Sequence, residues 1–398
     1  MKKVLLLGGS RYLRPVIKAI HELGYYAITC DYLPENYAHK YSDEYHNVSI
    51  IDKEAVLDLA RRLKVDGIMS FACDPGVVTA AYAAEQLGLP THPYESVKIL
   101  QNKALFRQFL AGHGFNVPKA KGYSDAAEAI RDVDDFAWPV IVKPTDSAGS
   151  KGVTRVESPA DLQKSIEYAL SFSHSDEFIV EEFIEKKGDS SDTDCFSVNG
   201  ELVFTSFDNQ KFDKNAENPY TPAAYTWPSD ISSENQKILR SELQRLIKLL
   251  NLNTSIYNVE TRESTNGKPY IMEFTPRGGG NRLAEILEYA TGADLIKNAV
   301  RAAVGEETTP LHDPVYNGYW AEIILHADKN GKFKELALDD VVKPYVYETD
   351  LWVEPGEEVH AFTAANFAIG TLVLRFDDKD TMNRIVNDIY KHLEVVVL

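Results

Sequence analysis

Apolar and polar positions along the chain switch between a period near two and a period near 3.6, and the switches divide it into elements. Residues 2–9 read as a short buried strand, 15–23 as an amphipathic helix and 26–31 as a second strand, a βαβ opening. Segments 56–63, 67–71 and 77–87 continue that alternation, which predicts a small parallel sheet with helices ending near Pro93. A helix is expected over 96–110, carrying Asn102-Lys103, then a turn over 114–118 and a strand over 136–143. The loop Thr145 to Gly152 leads to a strand over 153–156, a helix over 161–170 and a strand over 178–182. Residues 195–207 form a hairpin pattern around Asn199-Gly200, while 211–225 has several Asn and Pro and no period, the mark of a loop. Helices are expected over 233–250, 282–290 and 294–304. After Gly305 the texture changes: 319–326, 345–353 and 370–376 alternate like strands that pair, and 379–393 reads as a closing helix.

The stretch 255–282 carries the most chemistry. Asn266-Gly267 between two strand-like segments signals a hairpin, and a two-residue loop makes Thr265 and Lys268 its closing pair. Pairing then steps outward through Ser264 with Pro269, Glu263 with Tyr270, Arg262 with Ile271 and Thr261 with Met272, and sets Glu260 opposite Glu273. Two carboxylates with Cβ atoms about 4.5–5.5 Å apart repel unless a cation, most simply a hard divalent one, sits between them. Strand alternation adds Asn258 and Thr275 to the same face as a second opposed pair, with Arg277 at its end.

Composition narrows the partners. The chain has 398 residues, enough for two to four units at roughly 100–200 residues each. A net charge of -18 opposes general binding to nucleic acid or an anionic membrane. Cys30, Cys73 and Cys195 form no CxxC and no paired framework, and His21-Glu22 has Tyr25 where an HExxH zinc motif needs its second histidine. Arg11 and Arg14 cut short the N-terminal apolar run, and no stretch of about 20 apolar residues follows, so a cytoplasmic protein is expected. Gly8-Gly9-Ser10 reads as a tight turn, since the chain lacks GxGxxG. The Thr145–Gly152 loop lets backbone N–H groups converge on an anion, with Ser147, Ser150 and Lys151 beside them.

In order and spacing, several weak motifs together resemble the ATP-grasp superfamily, in particular its carboxylate-amine ligases, carbamoyl phosphate synthetase half-units, biotin carboxylase and phosphoribosylglycinamide synthetase. They are Asn102-Lys103 before a Gly-x-x-x-Pro turn, Pro139-Val140-Ile141-Val142-Lys143-Pro144, the serine/glycine loop, Val180-Glu181-Glu182-Phe183-Ile184-Glu185, and Asn258-Val259-Glu260 with Ile271-Met272-Glu273-Phe274-Thr275-Pro276-Arg277. The resemblance implies an α/β and α+β architecture: an N-terminal parallel-sheet domain over 1–95, an ATP-grasp domain over 96–305 with a lid over about 118–185, and a small α+β domain over 306–398. It implies that Lys103 and Lys143 hold ATP phosphates beneath a lid of Ser147, Gly149, Ser150, Lys151 and Gly152. Glu181, Glu182 and Ile184 match the adenine hinge, with Asp189, or alternatively Asp192, at the ribose. Glu260 and Glu273 match the carboxylates for Mg2+ (or Mn2+), and Arg277 matches the arginine facing the transferred phosphoryl group. The family pattern has asparagine where Thr275 stands, and Asn258 across the hairpin is expected to supply that amide.

The implied reaction is ATP-dependent formation of an acyl phosphate and its capture by an amine, with small-molecule partners and a homodimer common in the family. Gly278-Gly279-Gly280-Asn281-Arg282 opens a helix, and Arg282 is expected to grip an amino-acid-like carboxylate, with Arg11 and Asp74 on the far wall. Activation of bicarbonate or another small carboxylate, and a catalytically silent ATP-binding module, are the alternatives.

Overall fold

A computed structural model describes residues 1–147, 149, 151–218 and 220–398. The architecture is α/β at the N-terminus and α+β beyond it, as the pattern predicts. Strands Lys3–Leu7, Tyr26–Asp31, Glu44–Asn47 and Gly67–Ser70 make a four-stranded parallel sheet in the order third, second, first, fourth. The unbroken run Val4 to Leu7 serves both faces: Val4 and Leu6 pack with Val16, Ile17 and Ile20 of helix Arg14–Glu22, and Leu5 and Leu7 with Val56, Leu57 and Ala60 of helix Lys53–Leu63. A strand buried on both sides has no polar alternation to show, hence the continuous apolar run.

The helix expected over 96–110 is two helices, Tyr94–Gln101 and Lys103–Gly112. Asn102 adopts an extended conformation, and its side-chain oxygen accepts the N–H groups of Ala104 and Leu105 at 3.0 Å, so it caps a new helix instead of continuing the old one. The break leaves Lys103 at a helix start, its own N–H bonded to the carbonyl of Thr145 at 3.0 Å.

Four antiparallel sheets follow, the smallest ordering Glu358–Val359, Gly331–Leu338 and Leu393–Val397. The first orders Ala120–Tyr123, Phe178–Glu182, Val140–Pro144 and Thr154–Val156, backed by helix Leu162–Leu170. The second orders Glu201–Thr205, Ser191–Val198, Ser255–Glu263 and Pro269–Thr275, with leucines of helix Ser233–Leu249 packed on one face. The third orders Asn209–Phe212, Pro222–Trp227, Tyr319–Leu325, Gly370–Phe376 and Val346–Leu351. It joins strands from both sides of Gly305.

Two expectations are corrected here. The segment 211–225 is no loop at its ends: Asn209–Phe212 and Pro222–Trp227 are paired strands, and Ala223 to Trp227 are buried. Strand Pro222–Trp227 lies inside a sheet and is covered on both faces, so no alternation marks it. The closing helix stops at Val386, and Leu393–Val397 is a strand paired with Gly331–Leu338, because its β-branched run suits a pleated edge better than a helix. No described helix is long and apolar enough to cross a membrane.

Candidate functional site

Glu260 and Glu273 do face each other, but by a different route from the one counted on the sequence. The turn has three residues: the N–H of Gly267 donates to the carbonyl of Ser264 and the N–H of Ser264 to that of Lys268, each at 2.9 Å. Gly267, at φ 81°, takes the left-handed position that such a turn requires. The inner pairs are therefore Glu263 with Pro269, Arg262 with Tyr270 and Thr261 with Ile271, one residue out from the expected register. A bulge at Met272 then restores it, returning Glu260 to Glu273 and Asn258 to Thr275. The longer turn and the bulge offset each other at the Glu260–Glu273 pair.

Next to this hairpin, strand Ser191–Val198 sets Asp192 beside Glu260 and Asp194 beside Asn258. Two rows thus cross one face of the sheet, Asp192–Glu260–Glu273 and Asp194–Asn258–Thr275. The amide of Asn258 donates to Asp192 at 3.0 Å and to Asp194 at 3.4 Å, which leaves its oxygen as the end that can face a cation. Burial pushes the carboxyls of Asp192 and Asp194 up to about 8 and about 7, with Glu260 adding to the first. Burial and neighbouring Glu273 raise Glu260 as well, against Arg262, whose guanidinium stands 3.6 Å away. Glu273 goes the other way: burial is outweighed by Lys103 and Lys143, which hold it below the usual range.

Two facing carboxylates fit a divalent cation between Glu260 and Glu273, whose side chains remain 28% and 46% accessible. Lys103 reaches Glu273 at 3.5 Å and the Ser147 carbonyl at 2.9 Å, so it bridges the hairpin and the loop expected to be a lid. Gly149 and Gly152 in that loop have φ 69° and 71°. Lys151 is exposed. Ser150 lies outside the described residues.

Lys143 and Arg107 flank Glu181 at 2.6 and 2.9 Å in the interior. The Glu181 side chain thus anchors a lysine, a role the hinge assignment to its backbone did not anticipate. Glu182 donates its N–H to Lys119, and the Ile184 carbonyl accepts from Arg262. Asp189 is paired with Lys211 at 2.8 Å, while Asp192 belongs to the carboxylate row. Arg107 and Asp194 were missed. The Asp192-x-Asp194 alternation was the available signal for one more acidic pair on a strand face; nothing marked Arg107 within an amphipathic helix.

Arg277 is held by Asp74 at 2.7 and 2.9 Å, which ties the end of the hairpin to the N-terminal sheet. The glycines that follow are needed for close approach. A Cβ on Gly278 would lie 2.2 Å from the Phe71 ring, and the Gly279 N–H donates to Asp194 at 2.8 Å. Arg282 is buried and engaged by Glu348 at 2.8 Å, Glu285 at 3.3 Å and the Thr371 hydroxyl at 3.0 Å. Arg11 lies over the Tyr37 ring at 3.5 Å, with Trp352 beyond it.

Residues 136–285, which span the Lys143 strand, the hinge, both carboxylate rows and Arg277, match the model of the ATP-grasp domain. This chain carries an ATP-grasp domain over residues 136–285. Formate-dependent phosphoribosylglycinamide formyltransferase of Synechococcus sp. (strain WH7803) is 30% identical to it over 186 residues, 46% of this chain and 48% of that protein. The chain thus spans about half the length of that relative. Among solved structures, L-amino acid ligase from Bacillus licheniformis has a TM-score of 0.80 at 19% identity, covering 100% of this chain and 99% of that one. The biotin carboxylase domain of Hydrogenobacter thermophilus 2-oxoglutarate carboxylase, solved with magnesium ADP and bicarbonate, has a TM-score of 0.76 at 17% identity, covering 100% and 91%. Likeness at that identity speaks for the fold.

Proposed function

We propose that the protein is an ATP- and Mg2+-dependent ligase that joins a small carboxylate, of the amino-acid class, to an amine, with release of ADP and phosphate. The observation that carries this reading is the opposed pair Glu260–Glu273, both partly accessible, with Lys103 3.5 Å from Glu273. A pure nucleotide binder has no need of two facing carboxylates that repel each other when the site is empty.

Glu260 and Glu273, with Asn258 and Thr275 beside them, would hold the magnesium, whose contribution is to offset negative charge on the phosphate oxygens. Lys103 and Lys143 share that task from the opposite side, Lys103 by turning from Glu273 to a phosphate. Segment 118–185, with the Ser147–Gly152 loop at its tip, serves as the lid, and Glu181 to Ile184 as the adenine hinge. A substrate carboxylate oxygen attacks the γ-phosphorus, the bond to the β,γ-bridging oxygen breaks, and ADP leaves. The amine nitrogen then attacks the acyl carbon, loses a proton, and phosphate departs with the former carboxylate oxygen. Arg277, fixed by Asp74, faces the charge that builds on the transferred group. Positioning and electrostatics supply the rate, so no protein nucleophile is needed.

The test is ADP and phosphate release with ATP and Mg2+ against pools of amino acids, small carboxylates and bicarbonate. Pool-dependent release that falls at least about 100-fold in Glu273→Gln is the expected result. AMP and pyrophosphate as products would overturn the acyl phosphate route. Dependence on bicarbonate alone would move the protein to the carboxylate-activating class, and ATP binding without turnover in any pool would sink the ligase reading.

A further inference from the structure

Away from the carboxylate rows, Asp213, His326 and Asp328 are the one group of His, Cys, Asp or Glu side chains, among the described residues, whose three ligand atoms lie within 4.8 Å of one another. Asp213 follows strand Asn209–Phe212 and His326 follows strand Tyr319–Leu325, and strand Pro222–Trp227 runs between these two in the sheet. The group therefore spans three strand ends. Asp213 and His326 are buried and Asp328 is exposed.

The imidazole's tautomer decides what the group can do. His326 Nδ1 stands 2.8 Å from the carbonyl oxygen of Ile324, and a carbonyl only accepts, so Nδ1 carries the proton. In the neutral ring Nε2 then presents a lone pair, and it points at Asp213 Oδ2 at 3.2 Å. Asp213 Oδ1 is already occupied by the N–H of Asn215 at 2.9 Å. Two acceptors thus face each other in the interior with the third carboxylate alongside, and only a cation between them makes the arrangement favourable. A proton would satisfy the pair but gives Asp328 no role. A metal ion uses all three.

The separation also fits a metal ion. Two ligand atoms each about 2.0–2.2 Å from a tetrahedral ion sit about 3.3 Å apart, close to the separation found here. An Nδ1–H donated to a backbone carbonyl is also the usual support for a histidine whose Nε2 binds metal. Phe362 stacks on the ring at 4.2 Å between centroids and Tyr390 lies at 4.9 Å, while Asp328 is exposed.

We propose that Asp213, His326 and Asp328 bind a first-row divalent ion of mixed nitrogen and oxygen preference, Zn2+ or Mn2+, separate from the magnesium of the ATP site. One imidazole with two carboxylates suits these ions better than Mg2+, which favours oxygen alone. Its effect is structural. It pins residues 213–218, of which Asn218 also donates to the Thr363 carbonyl at 3.0 Å, onto the end of strand Tyr319–Leu325.

The test uses the full chain, stripped with chelator and kept free of nucleotide, dialysed against Zn2+, Mn2+ or Mg2+ with bound metal counted by mass spectrometry. The expected result is one Zn2+ or Mn2+ per chain, retained by the Glu260→Gln/Glu273→Gln double variant. Asp328→Asn, an exposed change that should fold normally, is expected to weaken binding at least about tenfold, and His326→Gln to remove it. Co2+ in place of the native ion should give a visible absorption band in the wild type that His326→Gln lacks and that Asp328→Asn reaches only at about tenfold higher Co2+. No bound metal above background, or wild-type affinity in Asp328→Asn, would overturn the proposal and leave a proton-bridged Asp213–His326 pair. Because no ATP is present, the outcome does not depend on the ligase reading.

Discussion

Replacing Glu181 with glutamine tests whether the buried ion triad holds the nucleotide lobe together. Glu181 is bonded to Arg107 Nε at 2.9 Å and Lys143 Nζ at 2.6 Å, and none of the three side chains is more than 11% accessible. Burial alone would raise the Glu181 carboxyl, yet its two cations hold it at about 2, against 4.5 for a free glutamate. At about 1.4 kcal/mol per pH unit, that difference is about 3 kcal/mol of folding stability. Lys143 responds differently: burial pulls its pKa down, with neighbouring Arg107 adding to that against Glu181 and Glu273. Glutamine would leave two buried cations without their anion, and breaking such a pair from one side costs about 3–5 kcal/mol. For a cooperative unit of about 150–250 residues the melting temperature should fall by about 6–20 °C. The sign in pH follows from the depressed folded pKa. The stabilisation is complete above the free value of 4.5 and is lost as pH falls through about 2, so the gap between wild type and variant narrows only below 4.5. Differential scanning fluorimetry from pH 7 downward reads this, with Glu182→Gln as control, since that carboxylate takes only the Ala137 N–H. A variant melting with the wild type at pH 7, or a gap unchanged down to pH 3, would refute the reasoning.

Two further outcomes can be checked on the same material. Gly278→Ala places a Cβ 2.2 Å from Phe71, and overpacking of this kind costs about 1–3 kcal/mol, read as a lower melting temperature that Phe71→Ala partly restores. Asn102→Ala removes the cap that starts the Lys103 helix, with an expected loss of about 1 kcal/mol and a higher KM for ATP with kcat little changed.

How much of this was legible depended on whether a residue's role left a trace in local spacing. The strands Tyr26–Asp31, Phe178–Glu182 and Gly370–Phe376 were read with correct bounds because each is a short apolar or alternating run between breakers. The opposed glutamates were found from a turn signal, although the turn is one residue longer than Asn-Gly suggests and a bulge compensates. Neither the turn length nor the bulge is written in periodicity: both depend on what packs against the hairpin. The helix break at Asn102 was visible in principle, since an asparagine with a helix-forming run behind it is a cap signal, but the apolar spacing ran on through it. Arg107, the strand Pro222–Trp227 and the Asp213–His326 pair are defined by partners distant in sequence and had no local mark.

Arg107 also explains why the bulge sits at Met272. Its NH1 donates to the Met272 carbonyl at 2.8 Å while its Nε holds Glu181, so one guanidinium connects the carboxylate hairpin to the Lys143 anchor. The bulged residue directly precedes Glu273, and a carbonyl turned toward Arg107 fixes where that carboxylate starts. Lysine keeps the charge but has a single point donor and cannot span both acceptors. Arg107→Lys should therefore keep most of the ion-pair stability, since Glu181 retains two cations, yet release the bulge. The expected result is an Mg2+ activation constant raised about tenfold, the range for loss of a group supporting metal ligands, with a smaller fall in melting temperature than in Glu181→Gln. Unchanged Mg2+ dependence in Arg107→Lys would mean that the strand pairing holds the bulge by itself, and that the guanidinium acts on Glu181 alone.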